Sequence, residues 1–367
     1  MRKRFAILLA AIMLAAAVLG ACGQQAEQPS QTAGNSAAPQ TGDNSSAPQD
    51  GEKAEPVPVK IGLLKLTSSA PIFIALEKGF FEEEGIEATV EWFEAAQPIA
   101  VATASGSVDV GATGITASLY NMIAGGEKLY IVADKGREQP GYSLSALLVH
   151  ADSPIDSIED LKGKKIGITQ TGSTFHYMAG RLLEKYGMSL ADVEIVPLGK
   201  VGAMMETLQS KQVDAVILNE PNVTQAVKEG YGKVLTKIGD EFEYQNAGIF
   251  FSETFAENRD AAIRFLKAYV KATRYYYDAV LVQENGQFVP GENYDEVVEI
   301  IAEYTDQPVD YVKSGLTYID RDGKLLAEDI QTQIDWYYEN DMIEQTIDYQ
   351  TVVNTELLDE ALKLAGN

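Results

Sequence analysis

The sequence predicts an α/β protein built of two lobes, with a helical C-terminal tail. Short apolar strands alternate with amphipathic helices in 59–133, and the same alternation recurs in 165–238. Two apolar segments, 146–150 and 246–252, have the length and position of chain crossings between the lobes. The 367 residues exceed what one hydrophobic core comfortably holds and are enough for two.

The N-terminal residues are typical of a secretory signal. Three basic residues at 2–4 precede an apolar run, 5–19, that is too short to span a bilayer comfortably. The run is followed by Gly-Ala-Cys, and this ending resembles a bacterial lipobox, which implies cleavage before Cys22 and lipid attachment to it. An ordinary signal peptide that ends near a cysteine by chance is the alternative. We therefore predict a signal peptide over 1–21, then a lipidated cysteine and a disordered tether over 22–57, where almost nothing can be buried.

The first lobe opens with a strand–helix–strand unit. A strand is predicted at 59–64 and another at 86–93, and Pro71 fits the first position of the helix between them. This βαβ unit implies parallel strands with a right-handed crossover. The lobe continues with a helix, a strand, a helix, a strand and a long polar loop, predicted at 97–106, 109–114, 115–124, 129–133 and 134–142.

The second lobe is organised around 160–187, which predicts a turn, a buried strand, a polar loop and a helix. The strand lacks polar alternation, as expected for a sheet covered on both faces. Ser173 or Thr174 is the predicted N-cap, and the unpaired amides of the first helical turn would face the space where open α/β sheets bind ligands. Strands and helices then alternate at 193–197, 203–210, 213–218, 222–229 and 234–238, and the tail is predicted to form helices at 257–281, 295–304, 309–316 and 327–340.

Composition excludes several classes of function. The formal charge of -25 and the pI near 4.4 leave no basic face for nucleic acid. Cys22 is the single cysteine, so neither an internal disulfide nor a multi-cysteine metal site is possible. With only two histidines, a His-rich zinc site is not expected either. We expect no nucleic-acid partner, no metal and no cofactor.

Four framework segments and the tail at 320–342 carry a family resemblance; the four are 71–86, 104–111, 160–167 with the Gly-Ser-Thr at 172–174, and 213–215 with Glu220 and Pro221. Together they resemble the solute-binding proteins of ABC importers for nitrate, sulfonates, taurine and thiamin-type pyrimidine precursors. The resemblance implies a type II periplasmic-binding-protein-like fold, in which two crossing segments join two lobes and the ligand lies in the cleft between them. The expected lobes are 58–147 plus 250–367, and 148–249.

The loops at the strand ends should face that cleft. Thr113 and Gly114 are candidates because small residues let a ligand reach backbone amides. Arg137 has the geometry to pair with an acidic group, although a lone arginine is as often in a surface ion pair. His176 lies in the first turn of its helix, where a structural role is the alternative. The predicted ligand-binding residues are Thr67, Ser68, Trp92, Thr113, Gly114, Arg137, Gln139, Tyr142, Ser173, Thr174, Phe175, His176, Asn219 and Glu220.

The leading functional hypothesis is capture of a small solute and its delivery to the permease subunits of an ABC importer. One arginine and several aromatic residues in the candidate loops favour a small organic solute, anionic or aromatic, over an inorganic anion such as nitrate. The resemblance implies an extracytoplasmic protein held by a lipid on Cys22 to the outer face of the bacterial cytoplasmic membrane, or a periplasmic one. A monomer is expected because a closing cleft needs free lobes.

Two other classes of function remain open. One is a ligand-sensing subunit for a membrane receptor, which the sequence does not separate from transport. The other is an enzyme, because the thiamin pyrimidine synthases of fungi resemble the same fold. Those synthases are associated with a cysteine-rich stretch, and this chain has no cysteine beyond Cys22, so we expect no enzymatic activity.

Overall fold

The structure, a computed structural model, describes residues 55–284 and 287–366. The predicted signal peptide, the predicted lipidation at Cys22 and the predicted tether as far as residue 54 lie outside the described residues. Within the described ranges, no helix has both the length and the apolar character needed to cross a membrane.

The strands of the described chain are short and mostly buried. In chain order they are β1 Val57–Leu63, β2 Ile86–Trp92, β3 Val110–Gly114, β4 Tyr130–Glu138, β5 Ser145–His150, β6 Lys165–Ile168, β7 Glu194–Pro197, β8 Ala215–Asn219, β9 Gly232–Lys237, β10 Tyr244–Phe251, β11 Gln283–Glu284 and β12 Gln287–Phe288.

The first ten strands form two five-stranded sheets with the same plan. In the first sheet the order is β2-β1-β3-β10-β4, with β1 parallel to β2 and β3, and β10 antiparallel to β3 and β4. In the second sheet the order is β7-β6-β8-β5-β9, with β6 parallel to β7 and β8, and β5 antiparallel to β8 and β9. The fourth strand in each order, β10 in the first sheet and β5 in the second, follows in the chain directly after a strand of the other sheet. The chain therefore crosses twice between the sheets, which confirms the predicted two-lobed α/β fold with two crossings.

The crossings lie slightly earlier in the chain than the sequence suggested. The predicted crossing segments 146–150 and 246–252 fall largely inside β5 and β10, which belong to the sheets themselves. Sheet membership therefore favours crossings at 139–144 and 238–243, which connect β4 to β5 and β9 to β10. The lobe boundaries themselves stay a prediction.

The prediction of a polar loop over 134–142 was wrong for its first half. β4 continues to Glu138, and the side chain of Asp134 is fully buried. Its carboxylate accepts hydrogen bonds from the Gly136 amide, the Asp320 amide and Gln245 Nε2, each at 2.7 Å. Two of these partners, Gln245 and Asp320, come from distant parts of the chain, so the local sequence could not reveal them. Burial of Asp134 is tolerated because its carboxylate is satisfied.

Helices cover both sheets, and the tail is helical as predicted. In chain order they are α1 Ala70–Glu77, α2 Phe80–Glu83, α3 Ala96–Ala104, α4 Ala117–Ala124, α5 Thr174–Lys185, α6 Val201–Gln209, α7 Asn222–Lys228, α8 Ile238–Glu241, α9 Glu253–Glu257, α10 Arg259–Val280, α11 Tyr294–Thr305, α12 Val309–Ser314, α13 Ala327–Glu339, α14 Tyr349–Val352 and α15 Glu356–Ala365.

The long helix α10 supports the first sheet. Asn258 caps its first turn, since the Asn258 side chain accepts from the Ala261 amide at 3.4 Å. Phe265, Leu266 and Tyr269 on its apolar face are fully buried in one cluster with residues of β1 and β10. This helix is scaffold, and its burial fixes the strands that carry part of the site.

Helix α13 joins the two lobes. Tyr120 on α4 donates to Gln333 Oε1 at 3.0 Å, which fastens α13 to the first lobe. On the other side, the Trp336 indole donates to Glu184 Oε1 at 2.7 Å, and its ring lies directly over Gly180 of α5. The tail therefore contacts α5, the helix whose N-terminus is predicted from the sequence to face the ligand.

Candidate functional site

A cavity lies between the lobes at the carboxyl ends of the parallel strands. Its walls come from both lobes, from the segments after β1, β2 and β3 on one side and after β6 and β8 on the other. The residues that line it are Leu64, Leu66, Ser68, Ala95, Ala96, Thr113, Gly114, Lys135, Leu144, Thr169, Ser173, Thr174, Phe175, Val201, Asn219, Asn246 and Ala247. Such a position is where α/β folds hold ligands.

Half of the predicted site residues line this cavity. The structure brings together Ser68, Thr113, Gly114, Ser173, Thr174, Phe175 and Asn219. These residues come from strand ends far apart in the sequence, and the structure places them around one cavity, as the expectation for loops at strand ends predicted. Their contact with a ligand stays a prediction.

The start of α5 follows the predicted pattern. Ser173 has extended backbone angles and is the N-cap, because its side chain accepts from the His176 amide at 3.3 Å. The helix begins at Thr174, so its unpaired amides and its positive dipole end lie at the cavity wall. This end of α5 favours an electron-rich group in the cavity.

Lys135 was not among the predicted site residues, yet it lines the cavity from β4. Its side chain is fully buried, and its ammonium group donates to Ser68 Oγ at 2.9 Å. Burial lowers the pKa of Lys135 to about 7, and the negative charge of Asp134 partly opposes this. No other charged side chain lines the cavity within the described residues.

Two amides and a hydroxyl add hydrogen-bonding capacity. Asn219 Nδ2 donates to Ser145 Oγ at 3.0 Å, and Asn246 Nδ2 donates to Glu138 Oε1 at 3.1 Å. Thr113 is also buried, and its Oγ1 has no hydrogen-bond partner among the described residues. A buried hydroxyl without a partner at a cavity wall is a candidate contact for a bound molecule.

Glu138 ties the first crossing together. Its carboxylate accepts from the Ser143 hydroxyl and the Leu144 amide, both at 3.0 Å, and from the hydroxyl and amide of Ser145. Burial raises the pKa of Glu138, while these hydrogen bonds lower it. The network fixes the segment where the chain passes from β4 to β5, next to the cavity.

The predicted role of Arg137 as a ligand partner disagrees with the geometry. Its guanidinium donates to Asp320 Oδ2 at 3.0 Å and lies over the ring of Tyr318, 4.9 Å from its centroid. The Arg137 guanidinium also lies 3.9 Å from the Asp134 carboxylate, and its side chain extends towards the tail. It does not line the cavity.

Gln139 and Tyr142 also lie away from the cavity. The Gln139 carbonyl accepts from the Tyr142 amide at 3.0 Å in a turn at the crossing. The Tyr142 hydroxyl donates to the Leu281 carbonyl at 3.4 Å, and its ring packs against Tyr318. Neither residue lines the cavity.

Four further predicted residues lie near the cavity without lining it. Thr67 donates through its hydroxyl to the Glu220 carbonyl at 3.4 Å. Trp92 is 41% exposed and packs near Phe73. Structural contacts occupy the other two. His176 accepts from the Gly172 amide at 3.2 Å, and burial lowers its pKa to about 4; Glu220 accepts from the Thr224 amide at 3.0 Å, and burial raises its pKa to about 7.

The lobes meet around the cavity. The Ala117 amide of α4 donates to the Gly172 carbonyl of the second lobe at 2.9 Å. We call the adjoining outer pocket, which shares Leu64, Leu66 and Val201 with the cavity and is also lined by Phe93, the mouth. There Lys200 and Glu94 form an ion pair at 3.2 Å across the two lobes. The cavity is therefore enclosed by contacts that hinge opening would break.

Ten of the residues that line the cavity were not predicted, and three of them, Lys135, Thr169 and Asn246, are polar. Lys135 lies in the polar run that was taken for a loop, and Asn246 lies in a segment taken only for a crossing. The apolar run 129–133 just before Lys135 was the available signal, because a buried strand that runs on into charges at a strand end often lines a site. No group of three or more histidine, cysteine or acidic side chains suited to a metal occurs in the described chain.

The paired sheets and the enclosed cavity between them define a two-lobed binding protein of the periplasmic-binding-protein class. The chain belongs to the NMT1-like family, which matches residues 52–288. This agrees with the resemblance drawn from the framework segments.

Comparisons with known proteins extend over most of the chain. A protein of Escherichia coli K12 named for binding aliphatic sulfonates is 26% identical over 300 residues, 81% of this chain and 88% of that protein. The crystal structure of the nitrate-binding protein NrtA from Synechocystis PCC 6803 has a TM-score of 0.69 at 17% identity, covering 84% of this chain and 89% of that one. The desulfurization enzyme DszB has a TM-score of 0.61 at 16% identity, covering 84% and 99%.

Proposed function

We propose that this protein captures a small solute in the interlobe cavity and delivers it to the permease subunits of an ABC importer. The observation that carries the proposal is the cavity itself, which is walled from both lobes at the carboxyl ends of their strands. The relative named for binding aliphatic sulfonates and the nitrate-binding structure support the same role.

Capture requires the lobes to move. Only about 30 Å³ of the cavity is far enough from every wall to hold the centre of a water molecule. A solute of more than a few atoms therefore enters when the lobes part and is enclosed when they close. The residues between β4 and β5 and between β9 and β10 are the places where the backbone change would occur.

The protein works outside the cytoplasm, held by a lipid on Cys22 as a monomer. The N-terminal sequence supports this, since a basic stretch and a short apolar run precede a lipobox-like ending. Metabolic labelling of cells with a radioactive fatty acid tests the anchor. The label should enter the wild-type protein and be absent from Cys22→Ser.

The enzyme DszB shares the fold, so an enzyme of this fold is the second candidate. The cavity residues do not favour it. Among the described residues that line the cavity there is no cysteine, histidine or carboxylate, and in the remaining pair of a base and a nucleophile, Lys135 and Ser68, Lys135 is the hydrogen-bond donor rather than the acceptor. We therefore expect a bound solute to be recovered unchanged.

A thermal-shift and calorimetric screen of the purified protein tests capture. The panel holds nitrate, taurine, short alkyl and aryl sulfonates, aromatic carboxylates, pyrimidines and neutral amides. A ligand at 100 times its dissociation constant stabilises the folded state by about 2.7 kcal/mol, which is a readable shift in Tm. Deletion of the gene should then abolish uptake of that ligand; retained uptake with lost gene induction would instead support the sensor alternative.

A further inference from the structure

Lys135 is the one charged side chain among the described residues that line the cavity. Its exposure is 1%, and its single hydrogen bond within residues 55–284 and 287–366 goes to Ser68 Oγ. An ammonium group has three donors, so two remain for another partner. No carboxylate of the described chain lies within salt-bridge distance of it.

A buried ammonium without a carboxylate partner is costly to keep charged. The nearby charged groups are already engaged. On the same strand, Asp134 is held by three donors and Glu138 by the Ser143–Ser145 segment. Arg137 pairs with Asp320, and Glu220 accepts from the Thr224 amide. The positive charge of Lys135 therefore has no paired carboxylate among the described residues and is available to pair with an anion in the cavity.

We propose that Lys135 is the counter-ion for the ligand, and that the ligand is a monoanion whose charged head contacts the Lys135 ammonium group, with the Thr113 hydroxyl as a second donor. This inference rests on the proposed function, because it assigns the solute class of the same cavity. The unpartnered Thr113 Oγ1 supports it independently of Lys135, since both buried groups line one cavity and both lack a full set of partners.

The remaining walls define the rest of the ligand. Among the residues that the structure describes, no acidic side chain lines the cavity, so a ligand amine would find no counter-charge there. Leu64, Leu66, Val201 and Phe175 form apolar walls, and the first three of these also border the mouth beside Phe93. The ligand is therefore a short alkyl or aryl sulfonate or carboxylate, with its apolar body directed towards the mouth, rather than a zwitterion or an inorganic anion.

Binding of such an anion couples to protonation. The pKa of Lys135 is about 7 before binding, and an adjacent anion raises it because it favours the charged form. Above pH 7, binding of the ligand must therefore be accompanied by uptake of a proton from the solvent onto Lys135. The affinity should fall as pH rises from 7 to 9, by up to tenfold per pH unit.

Isothermal titration calorimetry of the purified protein tests the inference. The probes are 1-propanesulfonate and butyrate, which separate the two kinds of head group, with butyramide, taurine and nitrate as comparisons. Lys135→Met keeps the length of the side chain and removes its charge. Lys128→Met is the matched control, because Lys128 is exposed and pairs with Glu253 outside the cavity.

We expect a monoanion to bind the wild type and Lys128→Met alike, and to lose at least tenfold in affinity in Lys135→Met. Titrations in buffers of different ionisation enthalpy should show uptake of close to one proton per ligand at pH 9. Equal binding to Lys135→Met, or tight binding of butyramide or taurine instead, overturns the counter-ion role while leaving solute capture intact. Failure of every probe in the full screen overturns both.

Discussion

At the scale of single residues, the cavity combines one buried cation with several partly satisfied polar groups. Lys135, Thr113 and Asn246 come from three adjacent strands of the first sheet, and Asn219 comes from the second. Their burial makes each of them sensitive to charge and volume. The consequences can be measured without knowing the ligand.

The pH dependence of stability should report Lys135 directly. The unfolded chain holds the Lys135 proton up to its ordinary pKa of 10.5, whereas the folded protein releases it near pH 7. Between these values the unfolded state binds more protons, so the free energy of unfolding rises with pH, by at most about 1.4 kcal/mol per unit from this group. Urea titrations between pH 7.5 and 9.5 should show this rise in the wild type and a smaller one in Lys135→Met.

Comparison of the two proteins over that window separates Lys135 from the other buried groups, which include Asp134 and Glu138, whose pKa burial also raises. Glu220, whose pKa burial raises to about 7, changes the stability mainly below this pH window. The buried tyrosines, whose pKa burial raises, change the stability above it. Lys135→Met should also be at least as stable as the wild type at pH 7, because a buried charge is replaced by an apolar chain. Equal pH slopes in the two proteins would contradict the burial of a titrating Lys135.

Gly114 tests the contact between the lobes. A Cβ at this position would lie 2.7 Å from Thr174 Cγ2, which belongs to the other lobe. Gly114→Ala should therefore hold the closed lobes apart and weaken ligand binding by about tenfold, with little change in the Tm of the free protein. Adding Thr174→Ser removes the clashing methyl group and should recover most of the affinity; a double variant as weak as Gly114→Ala would contradict this explanation.

At the scale of elements, α13 and α5 are packed more tightly than their polar sequences suggest. Gly180 lies under the indole of Trp336, and a Cβ there would approach Cζ2 to 2.2 Å. Helix α13 is fastened to α4 by Gln333, so it cannot simply move away. The small residue in α5 is therefore a packing requirement.

Gly180→Ala should destabilise the protein by about 1–3 kcal/mol through overpacking. Gly202→Ala is the matched control, because Gly202 is also helical and nothing lies within 4 Å of its added Cβ. That change should be neutral or stabilising by a few tenths of a kcal/mol. Chemical denaturation measures the free energy of unfolding of both variants. A similar decrease in the two would mean that the destabilisation of Gly180→Ala is not caused by a steric clash with Trp336.

Element types were largely predictable from the sequence, and the site only in part. The apolar strands and amphipathic helices follow local periodicity, so α10 and α13 were found to within a few residues. The buried end of β4 was not, because Asp134 and Lys135 are polar and their partners lie in distant segments. Arg137, a predicted ligand-binding residue, does not line the cavity for the same reason, since only the folded chain shows that Asp320 and Tyr318 engage it.

At the scale of the whole molecule, the lobes are held together by contacts on several sides of the cavity. Some are exposed, such as the Lys200–Glu94 pair, and should contribute about 0–1 kcal/mol to closure. Others are backbone hydrogen bonds, such as the one from Ala117 to Gly172. The closed form is therefore stabilised by many weak contacts, and a ligand that binds in the cavity can shift the equilibrium between the open and closed forms.

Small-angle X-ray scattering should detect this balance. Addition of a saturating ligand should lower the radius of gyration of the wild-type protein, because the open population is drawn into the closed form. The Gly114→Ala variant should remain expanded at the same ligand concentration. An unchanged radius for the wild type would show that the free protein is already closed.

The order of the first sheet also bears on how the protein is made. Its strand β10 lies between β3 and β4 but follows them by more than a hundred residues, whereas β5–β9 complete the second sheet without a break in the chain. During synthesis and export, the second sheet can therefore assemble while β3 and β4 still wait for the strand that joins them. The edges that β10 will occupy have no partner strand throughout that interval, so the nascent first lobe presents free strand edges for longer than the second lobe does.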